Sequence, residues 1–329
     1  MNSAFLPILV TGAAGFIGSH VCDMLLAKGN RVIGLDNFDD YYSRKEKEAN
    51  LIRAKTNSNF SLVEGDIRDA DLAAQVLREH GISLVIHLAA RAGVRSSILE
   101  PERCVDVNVR GTLVQLEAAR KAGVKKFIFA SSSSVYGERS EVPFRESDPT
   151  DRPLSPYGAS KKAGEAICYT YHHLYGISIA CLRFFTVYGP RQRPDLAIRK
   201  FAELMVANRP LPVFGDGTSQ RDYTHIQDIL TGVNGAMEWC RKSVSPHYGI
   251  FNLGSKNPIS LNESIKYLGE ILEILPKREI LPLQPGDVSQ TYADTTLAER
   301  ELGFHRMVPF REGLADFCQW LRSHNSSTK

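Results

Sequence analysis

A short apolar run, Ile8-Leu9-Val10, leads directly into Gly12-Ala13-Ala14-Gly15-Phe16-Ile17-Gly18, and helical periodicity then continues from Phe16 to Ala27. This order leaves few options. A buried strand must turn sharply into a helix: Gly12 permits the turn, Gly15 lets the backbone approach a ligand, and Gly18 lets helix and strand pack closely. The helix N-terminus it creates favours an anion, because its first N–H groups are unpaired and its dipole is positive there. Further strand-like runs follow at Arg31 to Leu35, Phe60 to Val63, Leu84 to Leu88, Lys126 to Ala130 and Ile177 to Phe185. Helical segments separate them, including Asp71 to Glu79 and Val107 to Lys121. Strand and helix in alternation predict an α/β fold, a Rossmann-type doubly wound parallel sheet with right-handed crossovers.

Proline and glycine become denser from Gly189-Pro190 to Gly215-Asp216-Gly217. We read residues 1–185 as the dinucleotide-binding domain and 186–329 as a smaller C-terminal α/β substrate lobe, with about 222–256, including Phe251-Asn252-Leu253-Gly254, returning to the main sheet. At 329 residues the chain is long enough for two such lobes. A formal net charge of +3, with no basic run carrying interleaved aromatics, argues against a nucleic-acid partner. Phe5 to Val10 is too short to span a membrane and has no basic flank or cleavage site. The six cysteines, Cys22, Cys104, Cys168, Cys181, Cys240 and Cys318, are scattered without a Cys-x-x-Cys pair and read as reduced, buried thiols. A cytoplasmic protein is expected. No residue set has metal-ligand spacing. His87 reads as a structural residue at a strand end, and His172-His173 as a surface or interface pair.

Two features carry chemistry. Asp36 ends the second strand, where a carboxylate accepts ribose hydroxyls and repels a 2′-phosphate, so NAD is expected over NADP. Asn37, Asp66-Ile67 and Leu88-Ala89-Ala90 lie at strand C-terminal ends, the side on which open α/β sheets bind ligands. The second feature is Tyr157-Gly158-Ala159-Ser160-Lys161. On a helix, Tyr157 and Lys161 share a face. A phenol with a pKa of about 10 is a poor base at neutral pH, and a nearby ammonium favours the phenolate. With a dinucleotide beside it, Tyr157 is expected to take a hydroxyl proton while a nicotinamide takes the hydride.

Thr11-Gly12-Ala13-Ala14-Gly15-Phe16-Ile17-Gly18, His87-Leu88-Ala89-Ala90, Ser131 to Gly137, the Tyr157 to Lys161 run and Arg221-Asp222-Tyr223-Thr224-His225 occur together in one order. In this the chain resembles the extended short-chain dehydrogenase/reductases, and among them the nucleotide-sugar epimerases and dehydratases. The resemblance spans nearly the whole chain. It implies a tightly held NAD, a nucleoside-diphosphate sugar substrate and a homodimer built through a four-helix bundle. It assigns Tyr157 and Lys161 to catalysis, with Lys161 also holding the nicotinamide ribose, and offers Ser132 or Ser134 as the hydroxyl that relays the proton. Relatives that dehydrate carry Asp-Glu after the catalytic hydroxyl, and decarboxylases carry a Glu. Here those positions are Ser133 and Ser134, which favours 4-epimerisation.

Arg183 to Pro190, Arg193-Pro194-Asp195-Leu196-Ala197, Gln284-Pro285-Gly286-Asp287-Val288 and Asp36-Asn37-Phe38 with Tyr41-Tyr42 are similar to the UDP-glucuronate 4-epimerases. That likeness implies that Arg193 grips the C6 carboxylate, with Thr186 adding a hydroxyl. Arg95, Val213, Phe214, Arg221 and Asp287 complete the expected substrate side. Gln284 departs from the glucose-type epimerases, which place an Arg there for the pyrophosphate; its loss here leaves Arg221 as the main candidate. Thr291 leaves room for an N-acetyl group. UDP-glucose or UDP-N-acetylglucosamine 4-epimerisation therefore stays open beside UDP-glucuronate to UDP-galacturonate. A UDP-glucuronate decarboxylase and a non-catalytic NAD-binding regulator are weaker alternatives.

Overall fold

The computed structural model describes residues 6–242, 245–283 and 288–326. Among them twelve strands run in chain order: β1 Ile8–Thr11, β2 Val32–Asp36, β3 Phe60–Glu64, β4 Leu84–His87, β5 Lys126–Ser132, β6 Ser178–Phe184, β7 Thr186–Tyr188, β8 Leu211–Phe214, β9 Gln220–His225, β10 Tyr248–Leu253, β11 Pro258–Ser260 and β12 Arg278–Leu281. Seven form one parallel sheet in the order β10-β6-β5-β4-β1-β2-β3. Helices cover both faces, so alternate residues of each central strand enter different cores. Ile8 and Val10 pack on one side with the helix Phe16–Ala27, and Leu9 on the other with Ile33, Val85 and Phe127. That is why β1, β2 and β4 read as unbroken apolar runs instead of alternating ones.

The chain reverses its winding between β1 and β4, and their C-terminal ends open a crevice at that switch point. The helices Ile226–Lys242 and Thr296–Leu302 also pack on the main sheet, through Ile229, Val233, Met237, Ala298 and Leu302. A second core gathers β7, β8, β9, β11 and the helices Ala197–Val206, Leu261–Leu272 and Phe310–Ser326 around Phe201, Leu268 and Phe317. The expected helix from Val107 differs in detail. Residues Asp106–Arg110 form a π-helical turn before the α-helix Gly111–Lys121 begins. Among the described residues no helix is long and apolar enough to cross a membrane, and no cluster of side chains has a metal-binding arrangement.

Candidate active site

The crevice is lined by Gly12, Gly15, Phe16, Ile17, Gly18, Asp36, Asn37, Asp66, Ile67, Leu88, Ala89, Ala90, Tyr157, Lys161 and Arg193, together with Tyr41, Tyr42, Lys47 and Arg91. The dinucleotide side is built mainly from backbone. Gly12 has φ of 70°, and a Cβ there would sit 2.8 Å from the Ala89 nitrogen, so the turn after β1 can press against the end of β4 only as glycine. Gly15 caps the first helix without any side-chain bond to its free N–H groups, and the first turn carries no acidic residue. Asp36 is buried; one oxygen accepts from the Ala14 N–H at 2.9 Å and the other from the Phe38 N–H at 2.8 Å. Burial raises its pKa, against those two bonds and the charge of Lys47. An ionised carboxylate offers about four acceptor positions, so two remain for ribose hydroxyls. Asp66 is held ionised: Arg68 brings its carboxyl down to about 2, and Asn37 donates to it at 3.0 Å. The Tyr42 hydroxyl is buried with no hydrogen-bond partner. An uncapped helix end, a glycine cradle and an orphaned hydroxyl in one cleft fit a dinucleotide.

The reactive side hangs on the helix Pro156–Tyr175. Ser155 caps it, its hydroxyl accepting from the Gly158 N–H at 3.1 Å, and Pro156 takes the first helical position. A Cβ on Gly158 would lie 2.5 Å from the Ser134 carbonyl oxygen, so this glycine lets the helix start close against the end of β5. The result is contact between Tyr157 and the serine run. Ser132 lies close enough to the phenol to pull its pKa down, and the Ser132 hydroxyl donates to that of Ser134 at 3.2 Å. Below them Ser131 donates to Glu165 at 2.6 Å, and Glu165 forks onto Arg183.

The expected pairing of Tyr157 with Lys161 differs from what the fold provides. Lys161 donates to the Ala130 carbonyl at 2.8 Å, with its nitrogen 5.9 Å from the Tyr157 ring centre. Burial raises the phenol above its ordinary value; the Ser132 bond and the charge of Arg193 pull the other way and do not prevail. Burial also depresses Lys161 to about 8. Sequence spacing put the two on one helix face, but desolvation, not their mutual attraction, dominates both groups.

On the sugar side, Arg193 enters the cleft beside Tyr157 and Tyr41. Arg95 lies over the Phe214 ring at 4.5 Å, bridging the helix Val94–Leu99 to β8. Val213 is a correction: β8 alternates, so Leu211 and Val213 point into the lobe's core while Phe214 is partly open. Thr186 pairs with Tyr223 at the start of β7 and is partly exposed. Arg221 donates to the Gln220 carbonyl at 2.9 Å. Thr291 is buried with its hydroxyl accepting from the Asp222 N–H at 3.1 Å. Gln284 and Asp287 fall outside the described residues. His87 is a neutral core residue between Thr11 and Thr112, driven down to about 3 by burial and by Lys161.

Sequence reading missed the groups that frame the cleft. Asp39 takes salt bridges from Arg91 at 2.5 Å and Arg103 at 2.7 Å, and Lys47 donates to its carbonyl. Asn108, on the π-turn, clamps both backbone groups of Arg91 and donates to Ser160 at 2.9 Å. No local signal marks these residues, although π-turns cluster at functional sites.

A profile of the NAD dependent epimerase/dehydratase family matches residues 8–254. The chain belongs to this family. It is 42% identical over 317 residues to the UDP-glucuronate 4-epimerase of Thermodesulfobacterium geofontis (strain OPF15), covering 96% of each chain. It is 41% identical to UDP-glucuronate 4-epimerase 5 of Arabidopsis thaliana, over 98% of this chain and 77% of that protein. Among solved structures it is similar to the UDP-glucuronic acid 4-epimerase from Bacillus cereus in complex with UDP-glucuronic acid and NAD, with a TM-score of 0.91, 38% identity, and coverage of 97% of this chain and 100% of that one. The parallel sheet, the glycine turn and the Tyr157 helix are thus those of an epimerase/dehydratase family member.

Proposed function

We propose that this chain is an NAD-dependent UDP-sugar 4-epimerase that interconverts UDP-glucuronate and UDP-galacturonate. The observation that carries the choice of sugar is Arg193, a cation placed in the same cleft as Tyr157 and near enough for its charge to act on the phenol. Relatives that cover almost the whole chain bear this activity in their names. Gly12 and Gly15 to Gly18 would hold the pyrophosphate of NAD, Asp36 the adenosine ribose, and Tyr157 with Lys161 the nicotinamide ribose. NAD supplies a hydride acceptor and, in its oxidised ring, a positive charge that favours the phenolate. Tyr157 would take the C4 hydroxyl proton through Ser132 and, once the keto-sugar has turned over so that the hydride comes back to the other face of C4, return that proton to the C4 oxygen. Ser133 and Ser134 supply no carboxylate, so neither water loss at C6 nor assisted decarboxylation has its acid or base.

The C4 ketone of a uronate is a β-keto acid. If its carboxylate aligns with the carbonyl π-system, the C5–C6 bond breaks, its electron pair enters the C4 carbonyl as an enolate, and C5 then takes a proton. Carbon dioxide leaves, and no hydride returns to C4. A planar guanidinium can hold the carboxylate out of that alignment as a point charge cannot. The test is incubation of the purified protein with UDP-glucuronate, UDP-glucose and UDP-N-acetylglucosamine, with products resolved by NMR. UDP-galacturonate should dominate; a preference for either neutral sugar would overturn the substrate choice.

The same reading makes the protein a cytoplasmic homodimer. All six cysteines are buried free thiols, as suits a reducing compartment. The helices Gly111–Lys121 and Pro156–Tyr175 leave Leu113, Tyr169 and Leu174 exposed, apolar surface that a second copy could cover in a four-helix bundle. Sedimentation at micromolar concentration measures this directly.

A further inference from the structure

Arg193 is held before any substrate reaches it. Its Nε and one Nη2 hydrogen donate to the two oxygens of Asp195, each at 2.9 Å. Tyr41 arrives from the loop after β2, across the cleft, and donates its hydroxyl to Asp195 at 3.1 Å. The Tyr41 ring also lies against the guanidinium, 5.3 Å from its carbon. A guanidinium has five N–H donors in a planar fork. Asp195 uses two of them. Among the described residues, the Nη1 donors and the second Nη2 hydrogen have no protein acceptor. The Nη1–Nη2 edge matches a carboxylate as well as the edge already taken. About a fifth of the side chain, 18%, stays exposed, and it lines the cleft that holds Tyr157.

We propose that Asp195, braced by Tyr41, is the positioning residue that makes the site select an acidic sugar, fixing one edge of Arg193 so that the other is offered to the C6 carboxylate. This rests on the UDP-glucuronate reading above. Three consequences follow from the geometry. An unbraced arginine would lose its rotamer freedom on binding, and here the fold has already restrained it. The Arg193–Asp195 pair is neutral as a unit, so the cleft is not an indiscriminate anion trap. The brace also sets the plane of the guanidinium, and with it the plane in which a bound carboxylate lies. The competing account is that Asp195 occupies Arg193 and must be displaced, which gives the opposite sign when it is removed.

The experiment uses the NAD-loaded protein and compares wild type, Asp195→Ala and Tyr41→Phe. Calorimetry measures binding of UDP-glucuronate, UDP-glucose and UDP, and NMR measures the share of UDP-4-keto-pentose released from UDP-glucuronate. Asp195→Ala should weaken UDP-glucuronate about tenfold relative to UDP-glucose and UDP, the loss of one well-placed charged hydrogen bond. Its share of keto-pentose should rise. Tyr41→Phe should move both readouts the same way by less. Tighter binding of UDP-glucuronate to Asp195→Ala overturns the proposal in favour of competition. Equal weakening of both sugars overturns it in favour of a merely structural role. Should Asp195→Ala not fold, Asp195→Asn keeps one acceptor oxygen and carries the same comparison. If wild type itself does not prefer UDP-glucuronate over UDP-glucose, it is the substrate reading that fails, whatever the variants do.

Discussion

Two arginine–carboxylate forks, Arg183–Glu165 and Arg193–Asp195, have almost the same geometry and opposite surroundings. The first has contacts of 2.8 and 2.9 Å, the second two of 2.9 Å. Arg183 is 1% exposed, and its remaining nitrogen donates to the Tyr136 hydroxyl at 2.8 Å. Burial alone would lower its pKa, but Glu165 and Tyr136 outweigh it and the cation is held charged. This fork ties β6 to the Tyr157 helix and, through Ser131, to β5. It keeps the base in place and has nothing left to offer a ligand. Arg193 is likewise kept charged by Asp195 against burial, yet it retains a free edge in the cleft. Residue type and partner do not decide which arginine builds and which one reads. The donors left over do.

The comparison supposes that the chemistry belongs to neither fork. Tyr157→Phe should therefore cost the most, at least the 10²–10⁴-fold in turnover typical of general acid–base catalysis, with NAD still bound and the unfolding midpoint little changed. Near-normal turnover at saturating UDP-glucuronate would remove Tyr157 as the base. Next comes the buried fork. Glu165→Ala leaves Arg183 charged and unpartnered, and urea unfolding should show a loss of about 3–5 kcal/mol. Asp195→Ala, whose pair is partly exposed, should lose under about 1 kcal/mol. Similar losses in the two variants would erase the distinction between the forks.

Arg193→Ala should lower turnover of UDP-glucuronate by roughly one to two decades, from a charged hydrogen bond contributing about 1.5–3 kcal/mol, while stability stays put. An equal loss on UDP-glucose would end its assignment as the carboxylate reader. The last test concerns His87, a buried polar group that remains neutral beside the first fork's strands. Its folded pKa of about 3 lies below the unfolded 6.5, so the unfolded chain binds the extra proton between those values. Stability should fall as pH drops from 6.5 towards 3, by at most about 1.4 kcal/mol per pH unit from this group. His87→Asn should flatten that slope in urea midpoints measured at pH 7, 5.5 and 4.5. An unchanged slope would mean that His87 is protonated in the folded protein.

Much of this molecule was legible along the chain. The glycine turn, the alternation of apolar strands with helices, Asp36 at the end of β2 and the Tyr157–Lys161 spacing are local signals, because each depends on backbone conformation or on residues a turn apart. What distance along the chain concealed was decided by packing. Val213 and Phe214 are neighbours, and only the pleat of β8 sends one into the core. Ser132 and Ser134 sit in one serine run, and only the close approach of the Tyr157 helix at Gly158 brings that run to the phenol. Lys161 shares a face with Tyr157, yet burial outweighs their attraction because desolvation depends on everything packed around them. The two forks join residues 18 apart across β6 and its preceding helix in one case, and in the other recruit Tyr41 from 154 residues away. A guanidinium's unused edge is a property of that assembled neighbourhood, and no local pattern in a sequence can encode it.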